Sequence, residues 1–223
     1  MENDFKFTGK FIGFDFDGTL ADSLTMYLDI YNEIAKEKGY REATLRDEEI
    51  LRTSMVSLTD LIKFTGNFGI GLMHFPMFIK NFFARLDKYR DKMLIFPGIP
   101  ELLADLHAKG YIIYLITSNQ QEIVAQFLKD KKLDQFFTGI YALDFFGNKG
   151  KKLHELTQDL RIEPGQFIYI GDEVRDIEAA RKAGLQVISV TWGLNSPALL
   201  EKYTPDAIAG NLDELRHLLK LAY

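Results

Sequence analysis

The chain has 223 residues, 47% apolar and 26% charged, with a formal net charge of −5. That balance excludes disordered and collagen-like classes, and at ~150 residues per domain it allows one large domain or a domain carrying an insertion. A pI near 5.5 argues against a nucleic-acid partner, and the absence of cysteine excludes disulfides and thiolate chemistry and fits a cytoplasmic protein.

The N-terminal stretch MENDFKFTGK is charged and has no apolar core, so no signal peptide is expected there. Phe11–Phe16 (FIGFDF) is a short apolar run closed by Asp17-Gly18-Thr19 and reads as a buried strand ending in a turn. Residues 22 to about 93 lack strand signals. Asp22 or Ser23 can cap a helix that carries Leu24, Tyr27, Leu28, Tyr31 and Ile34 at helical spacing and stops near Gly39. Further helical patterns cover 56–64 and 76–89. The most apolar stretch, Phe64 to Phe83, is interrupted by Asn67, His74, Pro76, Lys80 and Asn81, so it is expected inside the protein, not across a membrane.

From Pro97 strands and helices alternate. Pro100 opens a helix that ends at Gly110, and Tyr111–Ile116 (YIIYLI) is a strand followed by Thr117-Ser118-Asn119 and a helix near 121–129. A weak strand is expected at 139–143 and a helix at 151–160, with Lys149 in the loop before it. Phe167–Ile170 (FIYI) is a strong strand, followed by Gly171-Asp172 and an Ala-rich helix ending at Gly184. Strands at 187–190 and 207–209 and a helix at 212–221 complete the pattern. Continuous apolar strands separated by helices imply a parallel sheet covered on both faces. The expected fold is α/β: a Rossmann-like core from residues 1–23 and 93–223, with 24–92 inserted as an α-helical cap.

In open parallel sheets ligands bind beyond the carboxyl ends of the strands. Those ends carry Asp15 and Asp17, then Thr117, Ser118 and Asn119, then Asp172, Glu173 and Asp176, with Lys149 in a loop between them. Packing acids together is costly unless a cation offsets them. With no cysteine and only scattered histidines (His74, His107, His154, His217), an all-oxygen site favours Mg²⁺ over zinc. Such a set suits phosphoryl transfer. One carboxylate can attack phosphorus. A second, two residues on along an extended segment, points the same way and can serve as acid and base. A hydroxyl, backbone N–H groups and a lysine can hold the equatorial oxygens.

These residues also carry a family resemblance. Asp15-Phe-Asp-Gly-Thr19 resembles the DxDGT motif of the haloacid dehalogenase (HAD) superfamily, LITSN ending at Asn119 is similar to its second motif, and Gly171-Asp172-Glu-Val-Arg-Asp176 resembles its GDxxxD motif. Lys149 falls where the third-motif lysine is expected, although Gly150 stands where many relatives have proline and Lys151 and Lys152 lie close by. The helical insertion resembles the C1-type cap of phosphoglycolate phosphatase-like members. The resemblance implies Asp15 as nucleophile and Mg²⁺ ligand, Asp17 as acid/base bound to the metal through its backbone carbonyl, and Asp172 as a further ligand. It implies Asp176 in support of the metal's waters or of Lys149, and Thr117 and Lys149 on the phosphoryl group. Glu173 replaces a common serine and is a candidate direct or water-bridged ligand.

The reading is therefore a Mg²⁺-dependent phosphatase acting on a small phosphorylated metabolite through an aspartyl-phosphate, as a monomer or homodimer, with no nucleic-acid or membrane partner. Gly18, Thr19, Ser118 and Asn119 are candidate substrate contacts. Arg52, in a polar stretch between cap helices, is a candidate reader of a substrate carboxylate or second anion. A phosphomutase of the β-phosphoglucomutase type shares every core residue and stays open. A phospho-receiver or silent binding module fits less well, since Asp17 supplies the turnover that a stable switch avoids. A dehalogenase proper needs neither Asp17 nor the metal.

Overall fold

The computed structural model describes residues 5–143 and 147–221. After β1 (Phe11–Phe14) comes a two-residue strand, β2 (Ala21–Asp22), and then the helices α1 (Leu24–Lys38), α2 (Leu45–Ser54), α3 (Leu58–Gly66), α4 (Phe75–Phe83) and α5 (Leu86–Tyr89). β3 (Leu94–Ile95) returns the chain to the sheet, followed by α6 (Ile99–Ala108), β4 (Ile112–Thr117), α7 (Gln121–Asp130), β5 (Phe137–Ala142) and α8 (Lys149–Asp159). The chain ends with β6 (Phe167–Gly171), α9 (Val174–Lys182), β7 (Gln186–Val190), α10 (Pro197–Lys202), β8 (Ala207–Ala209) and α11 (Leu212–Leu218). The described residues form a six-stranded sheet ordered β5-β4-β1-β6-β7-β8, and every pairing in it is parallel.

Alternation along the strands decides how the sheet is covered. Ile12, Phe14, Ile113, Leu115, Ile168 and Ile170 enter one apolar layer with α6, α7 and α11. Tyr114, Ile116, Phe167, Tyr169 and Val187 enter the other with α8, α9 and α10. Fully burying each such side chain contributes about 1.5–3 kcal/mol. Gly13 sits mid-strand because the Phe167 and Tyr169 rings lie over it, where a Cβ would approach them within 2.8–2.9 Å. The chain winds from β1 out to β5 on one side and to β8 on the other, so the switch point lies at the carboxyl end of β1, between β4 and β6. Asp15, Thr117 and Asp172 all leave the sheet there.

Three differences from the sequence pattern have physical causes. β2 and β3 pair antiparallel inside a span with no strand signal. Two-residue strands carry no periodicity, and this ribbon exists because the inserted helices leave and re-enter the sheet side by side. α2 (LRDEEILRTS) buries only Asp47, so apolar spacing does not reveal it; its signal is the Thr44/Asp47 capping box. Lys149 opens α8 instead of preceding it, because Asn148 caps that helix by accepting from Lys151 N–H (2.9 Å). Among the described residues, no helix is long and apolar enough to cross a membrane.

α1 packs on α4 through edge-on rings, Tyr31 against Phe78 (5.9 Å) and Tyr27 against Phe82 (5.4 Å). α2 is tied down by Asp47, which accepts both guanidinium N–H groups of Arg41 (3.0 and 2.8 Å) and Thr44 N–H (2.8 Å). Arg41, and then Thr44, hold the Asp47 carboxyl well below the usual carboxylate range. Its contribution is therefore present above the ordinary carboxylate value and is lost as pH falls toward the depressed one. Asp47→Ala is expected to cost about 1–2 kcal/mol as a lost cap, read as a lower denaturant midpoint, with the gap to wild type closing in acid. A gap that widens in acid would contradict this account.

Candidate active site

The Asp15 N–H donates to Ile170 O (2.8 Å), which extends the β1–β6 pairing by one residue and fixes an aspartate whose side chain is 6% exposed. Lys149 reaches it from the first turn of α8. Its Nζ lies 3.0 Å from Asp15 Oδ1 and 2.6 Å from Asp176 Oδ1, with the Tyr169 ring centroid at 5.7 Å. Burial opposes a charged lysine here, yet Asp15 and Asp176 hold its pKa well above the ordinary value. Of the neighbouring lysines, Lys151 is exposed and pairs with Glu155, and Lys152 lies over the Tyr141 ring. Gly150 lets α8 approach α9 closely: a Cβ there would stand 3.1 Å from Ala179 O.

Asp15, Asp172 and Asp176 each offer a carboxylate oxygen within 4.8 Å of the others, and all three are buried. Asp172 is held by the Thr19 hydroxyl, which donates to Oδ1 (2.7 Å), and by Leu194 N–H, which donates to Oδ2 (2.7 Å). Gly18 (φ +76°) and Gly193 press on the same carboxylate, and a Cβ at either would collide with it. Asp176 closes a capping box on α9 by accepting Glu173 N–H (3.1 Å). Burial pushes Asp15 from 3.8 to about 8, against the pull of Lys149, and pushes Asp172 well above its ordinary value, with Glu173, Asp15 and Asp176 adding to the rise. Three buried carboxylates facing one ammonium are short of positive charge. Their oxygen-only donor set fits a hard divalent cation such as Mg²⁺.

Asp17 does not join that trio. After Phe14 the backbone leaves the extended form and turns, with Leu20 and Ala21 N–H both donating to Phe16 O. The carboxylates two residues apart line one cavity yet find different partners. Asp17 Oδ2 accepts Asn119 Nδ2–H (3.1 Å), while its buried Oδ1 has no hydrogen-bond partner among the described residues. Burial pushes Asp17 up, opposed by Tyr27, Ser23 and Asn119 beside it. Ser23 stands at the N-cap of α1 without making a cap bond. The buried Thr117 hydroxyl accepts Asn119 N–H (2.9 Å), which leaves its hydrogen to donate.

A cavity of about 240 Å³ rises from Asp15, Asp17, Ser118, Asn119 and Lys149 into the helical insertion. Three sequence candidates are used elsewhere. Gly18 N–H donates to Ala21 O (2.8 Å) and the Thr19 hydroxyl to Asp172, so both shape the acid cluster and not the cavity wall. Arg52 turns onto the core, donating to Gly193 O and to Glu48 Oε1 (3.1 Å), and is not among the described residues that line the cavity. Glu173 is gripped by Arg175 through two hydrogen bonds (2.9 and 2.7 Å), and both line the cavity. Sequence reasoning missed Tyr27, Arg175, Gly193, Leu194 and Asn195. Arg175 had a signal, its place inside the Gly171–Asp176 motif. The 193–195 loop had only its position after a strand. Asn195 is its anchor, accepting Val174 N–H (2.8 Å) and donating to Met55 O (3.0 Å).

The family model for haloacid dehalogenase-like hydrolases matches residues 12–190. A phosphoglycolate phosphatase of Synechococcus elongatus is 31% identical over 193 residues, covering 86% of this chain and 89% of the relative. One of Aliivibrio fischeri is 26% identical over 226 residues, covering 94% and 95%. A crystal structure from Clostridium acetobutylicum, described as a predicted phosphatase, superposes with a TM-score of 0.83 at 21% identity over 96% of this chain and 99% of the other; at that identity it speaks for the fold alone.

Proposed function

The chain belongs to the haloacid dehalogenase-like hydrolase family and is a phosphatase, and from that premise we propose a Mg²⁺-dependent phosphomonoesterase that works through an aspartyl-phosphate. The observation that carries the proposal is the convergence of three buried carboxylates within 4.8 Å beside the Lys149 ammonium. Asp15 attacks phosphorus, forming an acyl phosphate as the ester P–O bond breaks. Asp17, whose pKa burial raises, gives the leaving oxygen its proton. It then takes a proton from the water that attacks the phosphoaspartate, releasing phosphate and restoring Asp15. Lys149 and the Thr117 hydroxyl hold the charge on the phosphoryl oxygens. Asp176 orients Lys149, and Asp15 and Asp172 would hold the metal. Mg²⁺, when bound, offsets the repulsion between carboxylates and phosphate. The helices of 24–92 form a cap that keeps bulk water from the intermediate. A cysteine-free chain turning over a small phosphorylated metabolite suits the cytoplasm.

Turnover of a generic aryl phosphate is expected with Mg²⁺, lost in EDTA and restored by added Mg²⁺. Turnover that persists in EDTA overturns the proposal. A second readout follows from Asp15. Without metal the folded state keeps the Asp15 proton up to about pH 8, whereas the unfolded chain releases it near 3.8. The folded state therefore binds more protons across that window, and metal-free stability falls as pH rises through it. Metal ligands must be deprotonated to bind, so the rise in Tm on adding Mg²⁺ is expected to be larger at about pH 8.5 than at about pH 5.5. Equal rises at the two pH values would contradict the ligand assignment.

A further inference from the structure

Above the acids the cavity wall is mostly apolar, with Tyr27, Tyr31, Ser57 and Thr65 among its polar side chains. Leu28 of α1, Leu61 and Phe64 of α3, and Phe78, Ile79 and Phe82 of α4 enclose the space that opens onto Asp15, Asp17 and Lys149. Its volume is about 240 Å³, whereas a cavity of ~150 Å³ already holds benzene. A phosphoryl group at the floor therefore leaves room for several carbon atoms above it.

The charges tell the same story. Among the described residues lining the cavity the cations are Lys149 and Arg175. Lys149 is held between Asp15 and Asp176, and Arg175 is spent on both oxygens of Glu173. Arg52, the remaining cation near α2's end, is turned onto Gly193 O and Glu48. A second anion on the substrate would be stripped of water beside Asp17 and Glu173 with no uncommitted cation among the described lining residues to receive it, a costly arrangement.

We infer that the enzyme's substrates are phosphate monoesters of apolar alcohols, with the alkyl or aryl part seated among the α1, α3 and α4 side chains, and not esters of small carboxylated alcohols such as phosphoglycolate. The inference rests on the phosphomonoesterase reading above and leaves its chemistry unchanged: the same ester P–O bond breaks and the alcohol departs with the Asp17 proton.

The test is kcat/KM of the Mg²⁺-loaded wild-type enzyme for straight-chain alkyl monophosphates from ethyl to octyl, with phosphoglycolate alongside. Leaving-group basicity is nearly constant along the series, so the trend reports the alcohol's seat and not the chemistry. Each added methylene is expected to raise kcat/KM about fourfold, the equivalent of ~0.8 kcal/mol, until the cavity is full, and phosphoglycolate is expected below ethyl phosphate. Leu61→Trp, which fills part of the space, is expected to move the best chain length shorter. A flat or falling series, an unmoved optimum in a folded Leu61→Trp, or phosphoglycolate as the best substrate overturns the inference. If no ester is hydrolysed, aryl phosphate included, the phosphomonoesterase reading itself falls. If ethyl phosphate and phosphoglycolate turn over with no dependence on chain length, only the inference does.

Discussion

Asp15→Asn is expected to lower kcat toward an aryl phosphate by at least ~10³-fold while leaving the metal-free protein as stable as wild type or more so. The two effects separate because one side chain does opposing jobs. An amide has no charged oxygen with which to form an acyl phosphate, so the covalent path closes. The folded protein, however, carries the Asp15 carboxylate at a loss, since burial raises its pKa to about 8. Replacing it with a neutral isostere relieves the crowding among Asp15, Asp172 and Asp176, which lie within 4.8 Å of one another. The introduced amide also keeps an oxygen for the Lys149 ammonium. Steady-state kinetics and Tm in EDTA at about pH 8.5, where wild type is most burdened, measure both halves. A fully active variant would remove Asp15 from the chemistry, and a variant much less stable than wild type would mean that its carboxylate is a net structural support.

Lys149→Gln is expected to cost ~10²–10³-fold in kcat, the usual range for losing one preorganised donor to a developing oxyanion. Its stability effect should have the opposite sign to that of Asp15→Asn. The ammonium lies 3.0 Å from Asp15 and 2.6 Å from Asp176, and with only 13% of the side chain exposed no solvent replaces it. Removing it leaves two buried acids without a cation, a class of change that costs about 3–5 kcal/mol when neither acid can neutralise. Without Lys149 to lower it, the Asp15 pKa rises further, and protonation of Asp15 trims that cost at lower pH, so the loss of stability should grow with pH. Lys151→Gln is the control. That lysine is exposed and pairs with Glu155 one turn along α8, so its loss should change kcat less than twofold, within the small worth of a surface pair. Equal losses from both variants would mean that the local lysine cluster, not a seated ammonium, serves the reaction.

The strand ends were legible because each is a local event. FIGF followed by Asp-Phe-Asp-Gly and FIYIG followed by Asp172 both show an apolar run that stops and an acid placed just after it. Parallel pairing at the switch point then brings Asp15 and Asp172 together whatever the loops do. Lys149 was legible only as one of three lysines. Its selection depends on Asn148 starting α8 at that residue and on Gly150 letting α8 lie close to α9, which aims one lysine inward and leaves Lys151 in solvent. Thr19 reads as a substrate hydroxyl in a motif, yet its partner is Asp172, 153 residues away. Arg52 reads as a free cation between helices, yet it closes onto the carbonyl of Gly193.

By itself the sequence determined the parallel sheet, the order of its elements and the acids at the strand ends, because apolar periodicity and turn chemistry act over a few residues and survive any arrangement of the rest. Only the tertiary structure decided what those acids touch, which lysine meets them, and that the chamber above them is lined with Leu, Ile and Phe while its arginine is already taken. The contacts of the acids and of the lysine join segments from 27 residues apart (Lys149 to Asp176) to 153 residues apart (Thr19 to Asp172), set when two apolar layers close on the sheet and the inserted helices fold back over its carboxyl edge.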